Sequence, residues 1–270
     1  MPVTRIENSL LGRTSGVRVT TDSGQPGSGS VVRIRGTTTT GDSNPLYVVD
    51  GIVIDGGIDY LSQSDIESIE VLKDASAGIY GARAANGVIL ITTKKGKAGH
   101  TSVSYNAYYG IQNPWRKLRL LNATEYATLL NEASASDGGA ILYGDPQSLG
   151  EGTDWQDEVF NFNAPMQNHD LSFSSGSDRA SYFASFSYFD QTGIVSDNNS
   201  NYKRFTARLN SDIKVGDRFT FGSTFGYTHV KGQGVSVNSE FGSPLGRAIN
   251  IDPLTPVSYT HLTLPTTPYV

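Results

Sequence analysis

The chain has 270 residues, 37% of them apolar and 10% aromatic, which is enough to build a substantial buried surface and excludes a disordered polymer. A net charge of −5 offers no basic surface for nucleic acid, and a charged fraction of 17% is low for a protein wetted on every side. The absence of cysteine excludes disulfide frameworks, zinc ribbons and thiol catalysis without choosing a compartment.

In chain order, Met1 to Arg13 lack the apolar core of about 7 to 15 residues that a signal peptide carries, and a helix is expected at about Ile6 to Gly12. Short apolar strands are expected at Val17 to Thr20, Val31 to Arg35, Leu46 to Val49, Ile69 to Leu72 and Val88 to Thr93. Gly24 to Gly29 and Thr37 to Asn44 lack periodicity and read as loops, while Asp50-Gly51 is a natural hairpin turn between LYVV and IVI. Between Leu72 and Val88 the small residues Ala75, Ser76, Ala77 and Gly78 predict a helix, with Gly78, Gly81 and Gly87 marking left-handed or closely packed backbone. Lys94, Lys95 and Lys97 close this compact α+β region with a basic cluster, an interfacial anchor or a solvated turn.

Beyond Gly96 the pattern changes to longer strands with period-two alternation. Val103, Tyr105, Ala107, Tyr109 and Ile111 share one face, opposite Ser102, Ser104, Asn106 and Gly110. At 204 to 213, Phe205, Ala207, Leu209 and Ile213 alternate with Arg204, Thr206, Arg208, Asn210 and Asp212, and Phe219, Phe221, Phe225 and Tyr227 repeat the pattern at 218 to 230. Segments 169 to 176 and 181 to 189 are two further strands. Gly176 to Arg179 and Val215 to Asp217 read as tight turns, whereas 113 to 167 and 191 to 201 are long, so connection lengths alternate. Membrane barrels show that asymmetry, and a soluble sandwich has no reason to. No apolar run approaches the roughly 20 residues of a spanning helix, so any membrane crossing must be made of strands. Within 113 to 167, Asn122 and Glu125 form a capping-box pattern ahead of the stripe Tyr126, Leu129, Leu130 and Ala133, which predicts a helix packed on loops or rim.

Catalytic motifs are missing: there is no G-x-S-x-G elbow and no phosphate loop, and Gly24, Gly27 and Gly29 do not make the dinucleotide fingerprint. His100, His169, His229 and His261 are scattered singly. Asp50, Asp55, Asp59 and Asp65 lack the spacing of a calcium loop and read as turn and cap residues. Neither an enzyme nor a cofactor is expected.

Three motifs, VRIRG at 32–36, PLYVVDG at 45–51 and DIESIEVLKDASAGIYGARAANGVILITTKK at 65–95, occur in the order and at the spacing of a known family. Together they resemble the plug domain of TonB-dependent outer-membrane transporters, most nearly the SusC/RagA group of glycan and peptide importers. The resemblance implies an α+β plug domain followed by antiparallel transmembrane β-barrel strands, an incomplete barrel. Its parts would be a plug at 1–97, the N-terminal part of the barrel at 98–256 with a long extracellular loop at 113–167, and a probable non-native tail at 257–270, where VSYTHLTLPTTPYV resembles a translated adapter scar.

The motifs also imply a structural plug signature of Arg33, Gly36, Asp50, Gly51, Lys73, Asp74, Gly78, Gly81, Asn86 and Gly87. Arg33 and Arg35 are expected on one strand face, and by motif matching Arg35 and Arg83 would lock the plug to carboxylates of the wall, leaving surface arginines as the other reading. Implied partners are the TonB energy-transducing complex in the periplasm, a SusD-like surface lipoprotein, an oligosaccharide or peptide substrate and outer-membrane lipid, with no nucleic acid. The start of the protein is expected upstream of Met1, and the segment gripped by the energised partner is expected there or is absent. The implied compartment is the outer membrane of a Gram-negative bacterium. Two alternatives stay open: a soluble β-rich carbohydrate-binding module without transport activity, and an α/β enzyme, which would need the phosphate loop that is missing.

Overall fold

The computed structural model describes residues 5–37, 43–73, 75–196, 199–216 and 218–256. Asp74 and the 257–270 tail expected to be non-native fall outside the described residues, as does the middle of the Thr37 to Asn44 loop. The chain forms two compact units, one of Met1–Ile111, Pro165–Thr192 and Asn201–Gln233, the other of Gln112–Ala164, Gly193–Ser200 and Gly234–Val270.

The first unit begins with a single 3-10 turn, Ile6–Leu10, shorter than the expected helix, which buries Ile6 and Leu10. Strands β1 (Val17–Thr21) and β2 (Ser30–Ile34) pair antiparallel. Strands β3 (Leu46–Val49), β4 (Ile52–Ile54), β5 (Ile66–Leu72) and β6 (Val88–Thr93) form a mixed sheet in the order β4-β3-β6-β5, with β3 and β6 parallel. Asp50 and Gly51 both take positive φ, 50° and 84°, as the two central residues of a type I′ hairpin must, and this sets the β3–β4 register. The main core gathers Val32, Ile58, Leu61, Ile89 and Ile91, each at most 1% exposed, and Val48 packs in a second cluster with Leu46 and Val88. Each such side chain contributes about 1.5–3 kcal/mol relative to an exposed one.

Three expectations fail in this part, the first being Gly78, which has neither a positive φ nor a neighbour within 4 Å of an added Cβ. Ala75–Ala84 is a 3-10 run broken at Gly81 (φ 72°), not one helix, because the glycine leaves helical space in mid-segment. Arg33 and Arg35 do not share a strand face, because β2 ends at Ile34 and Arg35 (φ 59°) and Gly36 (φ 92°) turn the chain away in succession.

The same unit holds five long strands: β7 (Ser102–Gln112), β8 (Ala164–Gly176), β9 (Ala180–Thr192), β10 (Asn201–Val215) and β11 (Phe219–Gln233). They lie in chain order as an antiparallel meander. Among the described residues this sheet is open, with β7 and β11 as its edges. Its burial is inverted relative to a water-soluble sheet: Arg204, Thr206, Arg208 and Asn210 are 4–7% exposed, while the alternating Phe205 and Leu209 are 40% and 46% exposed. Phe186, Phe221 and Phe225 also face outward.

The second unit gathers the long connections β7–β8 and β9–β10 with the segment after β11. Helix α1 (Ala123–Ser136) starts as expected, with Asn122 accepting from the Glu125 backbone at 2.8 Å and Glu125 accepting from the Asn122 backbone at 3.1 Å. Helices α2 (Trp155–Val159) and α3 (Pro244–Asn250) are capped by Asp154 and Ser243 and joined by the Trp155 indole, which donates to the Asp252 carbonyl at 2.9 Å. Lys117 pairs with Asp154 and Asp157 at 2.9 and 2.7 Å, and these two carboxylates raise the lysine pKa above its ordinary value.

Candidate functional site: a polar interface on the long sheet

The buried polar row of β10 meets the N-terminal α+β part of the same unit, and it is this contact that buries it. Arg204 Nη1 donates to the Asp59 carbonyl at 3.3 Å, and its guanidinium lies 5.9 Å from the centroid of the Phe189 ring. Two positions on, in register, Thr206 is buried, and two further Arg208 Nη2 stands 3.9 Å from Asp50 Oδ2. Asn210 donates to Thr93 Oγ1 at 3.0 Å and to the Lys94 carbonyl at 2.7 Å, and Asp212 takes Lys95 at 3.1 Å. From β11, Thr228 donates to the Tyr60 carbonyl at 2.8 Å. Strand periodicity explains the alignment, since residues i, i+2 and i+4 share a face and reach successive loops of the opposing part.

Asp50 is the centre of this interface. Its positive φ makes the hairpin, while its carboxylate accepts from the Thr93 amide at 2.8 Å and the Thr93 hydroxyl at 2.7 Å and faces Arg208. Nearby, Arg5 holds Asp59 at 2.6 Å, and Glu7, 4% exposed, has one carboxylate oxygen buried without a hydrogen-bond partner. Burial pushes the Glu7 carboxyl above its ordinary range. Burial raises Asp65 too, against a hydrogen bond from Ser185 and the charge of Arg208. Among the described residues no cluster of three metal-ligating side chains occurs.

Of the residues singled out from the sequence, Asp50 faces Arg208 of the long sheet and Lys95 pairs with Asp212 of the same strand. Arg33 donates to Asn44 Oδ1 at 2.6 Å, Asn86 to the Asn44 carbonyl at 3.5 Å, and Arg83 pairs with Asp55. Asn44, Asn86, Arg83 and Asp55 line one 640 Å³ cavity together with Arg5 and Glu7. Lys73 bonds the Ser15 carbonyl, and Arg35 is exposed with its backbone amide on the Gly16 carbonyl at 2.9 Å. Gly87 (φ 90°) is held tightly, since a Cβ there would stand 2.7 Å from Ile34 Cδ1, whereas Gly81 has open space. Arg204 and Arg208 went unassigned from sequence: their alternation with Phe205, Ala207 and Leu209 was the signal, but which face would be buried was not written in it.

Residues 1–88 match the sequence family described as TonB-dependent Receptor Plug Domain. The chain is 39% identical over 239 residues to TonB-dependent receptor P26 of Formosa agariphila, which covers 86% of this chain and 24% of that one. It is 37% identical over 278 residues to TonB-dependent receptor SusC of Bacteroides thetaiotaomicron, covering 94% and 25%. Among solved structures it resembles the RagAB peptide importer in the closed-closed state, with a TM-score of 0.75 and 32% identity over 85% of this chain and 29% of that one. The chain thus spans about a quarter of the length of the curated relatives it matches.

The N-terminal α+β part is therefore a receptor plug, and the polar row of β10 is what it rests on. The chain belongs to the TonB-dependent receptors, in their SusC/RagA group, and its compartment is the outer membrane of a Gram-negative bacterium.

Proposed function

We propose that this chain supplies the plug, residues 1–97, and the first five wall strands, within 98–256, of a β-barrel importer for glycans, oligosaccharides or peptides. The observation that carries the proposal is the inverted sheet. Phe205, Leu209, Phe221 and Phe225 face outward, where hydrocarbon would accept them, and Arg204, Thr206, Arg208 and Asn210 face inward onto the plug. A soluble carbohydrate-binding module would bury the other face. Short connections between β8 and β9 and between β10 and β11, with long ones between β7 and β8 and between β9 and β10, support a periplasmic and an extracellular end.

In this reading the plug closes the barrel at rest. Substrate is taken from the outside with the help of a SusD-like surface lipoprotein, and the TonB complex in the periplasm supplies the pull that opens the path. The likeness to the RagAB peptide importer supports both the transport reading and the presence of a second component. The protein works as a transporter without cofactor or catalysis. Arg35 and Arg83, carried over from the family motifs, are proposed to lock the plug against carboxylates of wall strands other than these five.

Expression of the receptor in a Gram-negative host tests this. Sarkosyl-insoluble, heat-modifiable protein in the outer-membrane fraction, with quenching of Trp or Tyr emission by brominated lipid, is the expected outcome. Recovery in the soluble periplasmic fraction would sink the barrel reading.

A further inference from the structure

The outward face of the long sheet changes character row by row, because the registers of β8 to β11 set directly opposed residues side by side. One row holds His169, Tyr188, Phe205 and His229. From there towards the short turns the face is apolar, through Leu171 and Phe186, then Leu209 and Phe225, to Phe219 opposite Val215. Ser211 and Ser223 within it are small and uncharged. Phe205 to Val215 spans about 34 Å at ~3.4 Å per residue, or about 25 Å of depth at a barrel strand's tilt, the height of an outer-membrane apolar band. The margin of the band at the His169 row is amphipathic. There the rings of Tyr105, His169 and Tyr188 follow one another at 6.2 and 6.5 Å, and Tyr105 Oη and His169 Nδ1 are hydrogen-bonded at 2.8 Å.

One row further towards the long connections stand Gln167, Asp190, Lys203 and Lys231, about 5 Å beyond that margin in depth. Lys203 and Lys231 are directly opposed, an arrangement that weakens a strand pair rather than stabilising it. Asp190 offsets one of the two: it takes Lys203 at 3.2 Å and accepts from the Tyr188 hydroxyl at 3.0 Å. Lys231 is exposed and, among the described residues, has no carboxylate in ion-pair range. The row thus holds one uncompensated ammonium with a second beside it, at the depth where a membrane's headgroups begin. Thr192, Asn201 and Gln233, the next row out, add hydroxyl and amide groups. A free anion would use only these polar rows, whereas a phosphate carried on acyl chains would use the apolar rows as well, which selects a lipid.

We infer that Lys231, with Lys203 beside it, holds the phosphate of a phosphorylated glycolipid in the outer leaflet, and that the acyl chains of that lipid lie on the rows from Phe205 towards Phe225. The like-charged pair is then explained by its ligand, whose phosphate sits between two cations that the sheet alone would not oppose. The inference rests on the barrel reading above and adds a lipid partner to its outer surface.

The full receptor, in phosphatidylcholine nanodiscs, is titrated with bisphosphorylated lipid A carrying a photoreactive acyl chain, and the crosslink yield on peptides of β10 and β11 is read by mass spectrometry. Saturable crosslinking of the parent is expected. Lys231→Gln should weaken it about fivefold, the effect of one cationic charge at an anionic surface, while Lys231→Arg should match the parent. Asp190→Asn, which frees Lys203 from its carboxylate, should strengthen it, a gain that a merely structural role for this row would not produce. Equal yield in Lys231→Gln and the parent would show that these lysines only face water. Equal yield with dephosphorylated lipid A would show that no phosphate is read. Competition by inorganic phosphate as effective as competition by unlabelled lipid A would show that the site takes a free anion. A weaker yield in Asp190→Asn would show that the carboxylate supports the site rather than competing for it. Each of these overturns the inference, and heat-modifiability of the same samples shows that the barrel stands. A parent receptor that is not heat-modifiable would overturn the barrel reading itself.

Discussion

Replacing Asp50 with asparagine keeps the size and the tolerance for left-handed backbone that the hairpin needs, and removes the charge facing Arg208 together with one of the two oxygens that accept from Thr93. At 3.9 Å and an effective dielectric constant of about 20, the Asp50–Arg208 attraction is about 4 kcal/mol before desolvation is counted. With D50N, Arg208 is left almost fully buried, its charge countered only in part by Asp65, so the expected loss of plug docking is about 2–4 kcal/mol. The complementary change R208M leaves Asp50 with both Thr93 donors at 2.8 and 2.7 Å and should cost less, about 1–2 kcal/mol. Amide hydrogen exchange in β3 and β6 of the membrane-embedded receptor reads the docking energy, and the double variant closes a cycle with a coupling of about 1–3 kcal/mol. If the two effects simply add, the Asp50–Arg208 pair carries no coupling and Asp50 acts only as a turn residue.

Four further outcomes follow from the same geometry. Burial raises the Glu7 carboxyl, so the native state keeps a proton that the unfolded chain releases; this contribution is complete below the unfolded pKa and is lost as pH rises through the native one. E7Q should therefore gain on the parent in melting temperature from about pH 4 to pH 8, and a difference constant with pH would refute it. G87A, with φ 90° and a Cβ 2.7 Å from Ile34 Cδ1, should destabilise the plug by more than about 2 kcal/mol, against about 1 kcal/mol for G81A in open space; equal shifts of the urea midpoint would be inconsistent with the packing described. L209R on the outward face should prevent heat-modifiable assembly, at about 2–4 kcal/mol near mid-membrane, where a water-facing position would tolerate the charge. R83A breaks an exposed pair with Asp55 worth about 0–1 kcal/mol to the plug alone, so a marked rise in bilayer conductance of the full receptor would reveal a partner on the wall, and unchanged conductance would make Arg83 a surface residue.

Period-two patterning carried most of the architecture. All five long strands, the hairpin at Asp50-Gly51 and the capped helix α1 were legible because each rests on a local rule. Strand β8 began earlier than expected, at Ala164, because Pro165 reads as a strand breaker although it is tolerated at a strand's start. The 3-10 run at Ala75–Ala84 looked helical because small residues satisfy both geometries, and only Gly81's positive φ separates them. The interface was the least legible part. Alternation groups Arg204 with Thr206, Arg208 and Asn210 but does not say what covers them, and Asp50 already had a sufficient local role as a turn residue, which hid its partner some 160 positions away.

The choice of polar side chains on β10 has a mechanical consequence. Were positions 204, 206, 208 and 210 apolar and equally buried, each would contribute about 1.5–3 kcal/mol to docking, and water entering the seam would meet no group to solvate. The observed contacts are hydrogen bonds and ion pairs whose net worth is about 0.5–1.5 kcal/mol each, because water replaces them when they part. Such a seam holds in register at rest, since Arg208 fits Asp50 and Asn210 fits Thr93 and Lys94, yet it can be rewetted from either end once force is applied. The apolar side chains of the same strand, Phe205 and Leu209, point away from the plug, where lipid would receive them in the proposed barrel. One strand thus serves two surfaces by its pleat alone, permanent on the outer face and reversible on the inner.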